Sequence, residues 1–136
     1  MSNQLIANRI FITGATGVLG TRVVKLLSEK NIKVVALSRS ASNSLQLKQA
    51  GVEVVTGNLF NPDEMIAATK KCDAIFHFAT HIPRKPIPNK LNDWKENDKI
   101  RTEGTKALLQ AAVANNIKIF IQESVTILYG NKMEQL

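Results

Sequence analysis

The sequence predicts an α/β fold: a doubly wound parallel sheet with strands in the order 3-2-1-4-5, covered by helices on both faces in three layers. Two observations support this fold class. Short apolar runs rich in β-branched residues alternate with amphipathic segments, as in repeated βαβ units. Three glycines, Gly14, Gly17 and Gly20, join the first run directly to the first amphipathic segment. We expect residues 1–136 to form one domain.

The composition narrows the classes of partner. Lys and Arg number 18 against 11 Asp and Glu, so the net charge is +7. The basic residues are scattered without interleaved aromatics, so we expect an anionic small molecule and no nucleic-acid partner. No apolar run approaches the roughly 20 residues of a membrane span, and residues 1–8 show no signal peptide. The single cysteine, Cys72, excludes an internal disulfide. These features predict a cytoplasmic protein without a membrane partner, and no residue cluster predicts a metal site.

The glycine turn predicts a dinucleotide site. Ile10 to Thr13 forms the first strand, and the helical pattern runs from Thr21 to Lys30. Gly14 would allow a sharp turn, Gly17 a close approach to a pyrophosphate, and Gly20 close packing of the helix on the strand. Unpaired N–H groups at the helix start would hold the phosphates, although such turns also occur without a ligand. The predicted phosphate-binding residues are Gly14, Thr16, Gly17, Val18, Leu19 and Gly20.

The end of the second strand, Ile32 to Leu37, bears on cofactor choice. An acid about 20 positions past the glycine turn would hold the 2′-hydroxyl of NAD. Ser38, Arg39 and Ser40 stand there instead, and a guanidinium with two hydroxyls suits a 2′-phosphate. We therefore expect NADP(H), with NAD(H) as the second choice. The alternative is that Arg39 is a solvated loop residue.

The middle of the chain continues the alternation. Ser42–Ala50 predicts a helix closed by Gly51, and Val52–Thr56 predicts the third strand. Asn61 and Pro62 are typical of a helix start, as cap and first helical residue.

The fourth strand is predicted over Cys72–Thr80. Small residues at its end would let the ribose and nicotinamide approach. We expect His77 to be a structural histidine, with catalysis as the alternative, and His81 to face the cleft. The predicted cofactor-binding residues here are Phe78, Ala79 and Thr80.

The remaining elements are a proline-containing loop, a helix and a strand. The loop spans His81 to Asn89, where Arg84 and Lys85 would meet an anionic substrate or remain solvated. One long helix is predicted over Leu91–Asn115, and Ile117–Gln122 predicts the fifth strand.

Four stretches resemble the extended short-chain dehydrogenase/reductase family of NAD(P)-dependent epimerases, dehydratases and reductases. They are Thr13 to Gly20, Cys72 to Thr80, Asn97 to Ala112 and Glu123 to Gly130. The resemblance implies a Rossmann fold, a NAD(P) cofactor and hydride exchange with a small-molecule substrate. It covers the cofactor-binding half of a family member.

The resemblance also assigns roles to single residues. Asn58, followed by Leu59, stands where the family has an acid that meets the adenine amino group. Its amide could replace that acid, or Asn58 could simply shape a turn. Arg101 stands where an asparagine props the active-site backbone, and Asn97 could replace that asparagine only if the helix is shifted. Ser124 is the candidate catalytic residue.

Whether the chain is itself an enzyme stays open. Family catalysis uses a tyrosine with a lysine four residues later, whereas Tyr129 is followed by Met133 at that place, and Lys132 is three residues away. The predicted function is the NAD(P)-binding domain of an oxidoreductase or epimerase/dehydratase. The alternative is a non-catalytic NAD(P)-binding module, or a truncated product, acting through a protein partner. The 91–115 helix packs in a dimer interface in relatives, which implies a homodimer.

Overall fold

The computed structural model describes residues 6–84 and 90–124. Its centre is a five-stranded sheet in the order β3-β2-β1-β4-β5 with every pairing parallel, which confirms the predicted fold. The strands are β1 Arg9–Thr13, β2 Lys33–Ser38, β3 Glu53–Thr56, β4 Ala74–His77 and β5 Ile119–Gln122. The helices are α1 Val18–Glu29, α2 Ala41–Gln49, α3 Pro62–Ala68, α4 Lys95–Lys99 and α5 Thr105–Ala114. A 3₁₀ turn covers Leu91–Trp94, and a π-turn covers Ile100–Gly104.

Packing on both faces buries the central strands of the sheet and gives the fold three layers. Phe11 of β1 packs in one core cluster with Met65 of α3 and Leu108 of α5. Its neighbour Ile12 points to the other face and packs in a cluster with Val24 of α1. The central strands are largely apolar because a parallel sheet covered on both sides has no solvent face. Each fully buried side chain of this size contributes about 1.5–3 kcal/mol.

Capping residues set the starts of α2 and α3, and α2 begins one residue before the predicted Ser42. The Asn61 side chain accepts from the N–H of Asp63 at 3.0 Å, and Pro62 occupies the first position of α3. Ser40 caps α2 by accepting from the N–H of Asn43 at 3.3 Å. Past the end of α2, Gly51 has φ +78°, the left-handed conformation expected of a glycine after a helix.

The fourth strand is shorter than predicted. β4 covers Ala74–His77 and not the whole of Cys72–Thr80. Asp73 turns its carboxylate back to the start of β1, and Phe78 and Ala79 leave the sheet to pack against Gly14. Apolar content alone does not reveal either departure.

The predicted single helix over residues 91–115 is instead a 3₁₀ turn, α4, the π-turn and α5 in succession. A π-turn inserts one extra residue and so shifts the phase of the residues before it. Gly104 lies at the end of this turn, where an added Cβ would come within 3.0 Å of Leu59. The glycine thus allows Leu59 to pack closely on the helix.

The amino ends of the strands are fixed by charged groups. The Asp73 carboxylate accepts from the backbone N–H groups of Asn8 and Arg9 at 2.8 and 2.9 Å. The Arg9 guanidinium forms an ion pair with Glu53 on β3 at 2.8 Å. Over residues 6–84 and 90–124, no helix combines the length and apolar character needed to cross a membrane.

Candidate functional site

A cleft of about 580 Å³ lies at the carboxyl ends of β1, β2 and β4, which is a typical size for a small-molecule site. Most predicted cofactor-binding residues line it: Gly14, Thr16, Gly17, Ser38, Arg39, Ser40, Asn58, Leu59, Phe78, Ala79 and Thr80. Predicted residues outside its wall are Val18, Leu19 and Gly20. Lining residues that sequence reasoning missed are Thr13, Ala15, Leu37, Asn43, Leu47, Phe60 and Ile100.

The glycine turn is held close to the end of β4. Gly14 has φ +73°, and an added Cβ would lie 2.5 Å from the carbonyl carbon and oxygen of Phe78. At Gly20 an added Cβ would lie 2.0 Å from the carbonyl oxygen of Gly14. The sequence predicts that Gly20 brings the helix close to the strand, whereas its closest contacts are with the turn itself. Both glycines therefore fix the shape of the turn.

Gly17 presents bare backbone at the start of α1. The nearest described atom to an added Cβ is the Gly14 carbonyl oxygen at 3.3 Å, and the turn is closed by the Gly17 N–H donating to that oxygen at 3.1 Å. Among the described residues no side chain caps α1, and no acid lies in its first turn. The first N–H groups, which belong to Val18, Leu19 and Gly20, are thus oriented for an anion. This arrangement fits a pyrophosphate.

At the end of β2, Ser38 is buried and structural, whereas Arg39 is exposed. Ser38 is buried, and its hydroxyl donates to the Ser40 carbonyl at 3.0 Å while accepting from Ser44 Oγ at 3.1 Å. Arg39 is exposed beside the start of α2, whose first turn contains no acid. Ser38 therefore shapes the loop, and Arg39 is the cation that the loop presents to the cleft.

Asn58 forms the turn that is one of its two predicted roles. Its side-chain oxygen accepts from the Phe60 N–H at 3.0 Å, an Asx turn that leaves one lone pair of that oxygen for an adenine amino group. Phe60 lines the cleft beside Asn58, and Lys99 Nζ lies 4.2 Å from its ring centroid. Sequence reasoning missed Phe60, and the signal that could have found it is its place two positions after the predicted adenine contact at Asn58.

Asn97 contacts the backbone just past the end of β4. It is buried, and its side-chain oxygen accepts from the backbone N–H of His81 at 3.0 Å. Arg101 instead donates from Nη1 to the Glu123 carbonyl at 3.1 Å, at the end of β5.

The predicted catalytic residue, Ser124, lies just past the end of β5 and does not line the cleft. Ser124 is exposed and follows Glu123, whose N–H donates to the His77 carbonyl at 3.2 Å. His81 and Arg84 are exposed as well. Outside the described residues lie Lys85, Tyr129, Lys132 and Met133.

His77 is buried, as expected of a structural histidine. Burial lowers its pKa from the ordinary value of 6.5, the hydrogen bond to the Ile100 carbonyl acts in the opposite direction, and the charge of Arg101 lowers it further. His77 does not line the cleft. In the part of the chain that the structure covers, no group of three or more His, Cys, Asp or Glu side chains could hold a metal ion.

A family model described as NAD(P)H-binding matches residues 14–135. The chain belongs to this NAD(P)H-binding family. A nicotinamide dinucleotide is therefore its cofactor, and the chain is an NAD(P)-binding domain homologous to short-chain dehydrogenase/reductase-type oxidoreductases and epimerases.

Named relatives of this NAD(P)H-binding chain include assembly factors and reductases. It is 31% identical over 116 residues to the photosystem II assembly factor Ycf39 of Guillardia theta, covering 85% of this chain and 34% of that protein. It is 39% identical over 70 residues to the 2-alkyl-3-oxoalkanoate reductase of Shewanella oneidensis, covering 52% of this chain and 18% of that protein. The chain thus spans about a third or less of the length of these relatives.

A solved structure of a short-chain dehydrogenase/reductase superfamily protein from Agrobacterium tumefaciens, with NAD bound, has a similar fold. It matches with a TM-score of 0.70 and 25% identity, covering 90% of this chain and 34% of that one. The UDP-N-acetylglucosamine 4-epimerase of Bacillus cereus matches with a TM-score of 0.71 and 23% identity, covering 93% of this chain and 38% of that one. This second likeness concerns the fold alone.

Proposed function

We propose that this domain binds NADP(H) in preference to NAD(H) and serves a short-chain dehydrogenase/reductase-type oxidoreductase or epimerase/dehydratase. The observation that supports this choice is the exposed Arg39 at the end of β2, on the wall of the cleft. No acid stands in Ser38–Ser40 to hold a 2′-hydroxyl, and none lies in the first turn of α2.

The chemistry of this corner suits a phosphate monoester. A guanidinium forms charge-assisted hydrogen bonds with phosphate oxygens. The positive end of α2 adds a favourable partial charge, since anions are stabilised at helix N-termini. An exposed Arg39 loses little by turning toward the ligand, because the one ion pair among the described residues joins Arg9 to Glu53.

The other end of the cleft suits the nicotinamide and a small substrate. When bound, the nicotinamide exchanges a hydride with a substrate carbon. Small side chains at Ala79 and Thr80 leave room for the ring, and Asn97 holds the backbone of His81 beside it. Ser124, on the neighbouring strand end, is our candidate for orienting a substrate oxygen. We place this chemistry in the reducing cytoplasm, which suits a chain with one cysteine.

The deciding experiment is an equilibrium titration with NADPH and, separately, NADH, followed by cofactor fluorescence. We expect at least a tenfold preference for NADPH, about 1.4 kcal/mol. Arg39→Ala should weaken NADPH binding by about 1–3 kcal/mol and leave NADH binding nearly unchanged. Lys30→Ala, at the opposite end of α1, is the control for loss of one positive charge. Equal losses for both cofactors on Arg39→Ala would refute the preference.

We also propose that α5 mediates a homodimer. Its outward side exposes Leu109 at 47% and Val113 at 83%, and neighbouring exposed apolar side chains favour association. Val113→Glu should shift the chain toward monomer in sedimentation velocity, whereas Val18→Glu, an equally exposed valine on α1, should not. A wild-type chain that is monomeric at high micromolar concentration would contradict the dimer.

A further inference from the structure

His77 is a buried titratable side chain that cofactor binding does not use directly. It is 2% exposed and is the last residue of β4. A buried imidazole without satisfied nitrogens would be costly. The hydrogen-bond partners of its two nitrogens therefore determine what the ring can do.

Both ring nitrogens have partners, and the partners fix the proton. Nε2 lies 3.3 Å from the Ile100 carbonyl oxygen, and a carbonyl only accepts, so Nε2 carries the proton. Nδ1 lies 2.6 Å from Thr13 Oγ1 and must accept from that hydroxyl. The Thr13 oxygen accepts in turn from the Ala79 N–H at 3.2 Å. The hydrogen bonds thus form one directed chain from Ala79 through Thr13 and His77 to Ile100.

The chain of hydrogen bonds joins three parts of the cleft wall. Thr13 is the last residue before the glycine turn, and Ala79 belongs to the backbone against which Gly14 packs. Ile100 begins the π-turn. All three of these partners line the cleft, whereas His77 does not.

We propose that His77 is a positioning residue for the cofactor cleft, which as a neutral imidazole protonated on Nε2 holds the glycine turn, the end of β4 and the π-turn in one arrangement. The proposal rests on cofactor binding in this cleft. It assigns a reason for a buried polar ring where an apolar residue would fill the core as well.

A charged ring would not serve this role. Protonated Nδ1 would donate to Thr13, whose own hydroxyl hydrogen would then need another acceptor, and Thr13 is only 1% exposed. The positive charge of Arg101 also disfavours a second cation at this place. Each of these effects favours the neutral tautomer.

The first test compares cofactor binding among variants. His77→Leu removes both hydrogen bonds and should weaken NADPH binding about tenfold. His77→Asn keeps an acceptor near Thr13 and should recover about half of that loss on a logarithmic scale. The matched control is Thr69→Val, which removes a buried hydroxyl that donates to the Met65 carbonyl at 2.8 Å, away from the cleft. It should lower stability and leave the affinity unchanged.

The second test does not need the cofactor. The ¹⁵N spectrum of the His77 ring in the unmodified chain should show a protonated Nε2 and an unprotonated Nδ1. In His77→Asn, the Ala79 amide should exchange with deuterium faster than in the wild type, relative to amides of α3. Failure of the unmodified chain to bind either dinucleotide would refute the cofactor proposal, while these two measurements would still judge the arrangement around His77.

A protonated Nδ1 would overturn the proposal, as would unchanged NADPH affinity in a folded His77→Leu variant. If His77→Leu does not fold, His77→Asn decides the question in its place. Unchanged affinity together with unchanged exchange at Ala79 in that variant would make His77 an ordinary core residue.

Discussion

Replacing Gly14 by alanine should destabilise the fold far more than the same change at Gly51. Both glycines have a positive φ, +73° and +78°, so alanine carries the same left-handed backbone cost of about 1–2 kcal/mol at each. At Gly51 nothing described lies within 4 Å of the added Cβ. At Gly14 the Cβ would lie 2.5 Å from backbone atoms of Phe78 and 2.6 Å from the Ala79 nitrogen. Overpacking against backbone adds about 1–3 kcal/mol, which is the expected difference between the variants.

Urea denaturation followed by circular dichroism measures this difference. With a slope of about 2 kcal/mol per molar urea, the midpoint of Gly14→Ala should lie roughly 0.5–1.5 M below that of Gly51→Ala. Because both variants lose the same chain freedom in the unfolded state, that contribution cancels in the comparison. Coincident midpoints would refute the reasoning, since they would mean that the end of β4 moves away from the turn at no cost.

Two further predictions concern the turn and the buried histidine. In Gly17→Ala the added Cβ has room, because its nearest neighbour is the Gly14 carbonyl oxygen at 3.3 Å. The variant should stay folded yet bind NADPH at least tenfold more weakly in a fluorescence titration. Unchanged affinity would contradict the pyrophosphate contact. The lowered pKa of His77 means that the unfolded chain binds more protons between that lowered value and about pH 6.5. The contribution of neutral His77 to the free energy of unfolding should be fully present above pH 6.5. It should be lost as the pH falls from 6.5 toward the lowered pKa. His77→Asn, which retains His81, should lose this part of the pH dependence of the unfolding free energy; identical profiles would contradict it.

The fold was predictable because its signals are local. The glycine turn after β1, the Asn61 and Pro62 start of α3 and the Gly51 turn each carry their own steric or hydrogen-bonding reason in adjacent residues. The limits of β4 were not predictable from local signals, because they depend on a contact between Asp73 and Arg9 of β1, 64 residues apart in the sequence.

The candidate site divides in the same way. The position of Arg39 on the cleft wall was predictable because its place after β2 is fixed by counting from the glycine turn. Ile100 was missed because its position on the cleft wall depends on the π-turn, and the sequence predicted one continuous helix there. The two hydroxyls beside Arg39 are alike in the sequence, whereas in the structure Ser38 is buried and Ser40 caps α2.

The carboxylate of Asp73 lies at the opposite end of β4 from the cleft, with the strand Ala74–His77 between them. At about 3.3 Å per residue, the five steps from Asp73 to Phe78 span roughly 16 Å. That exceeds the Debye length of about 8 Å at physiological ionic strength. The Asp73 carboxylate can therefore hold the amino ends of β1 and β4 together without repelling a dinucleotide that carries several negative charges at their carboxyl ends.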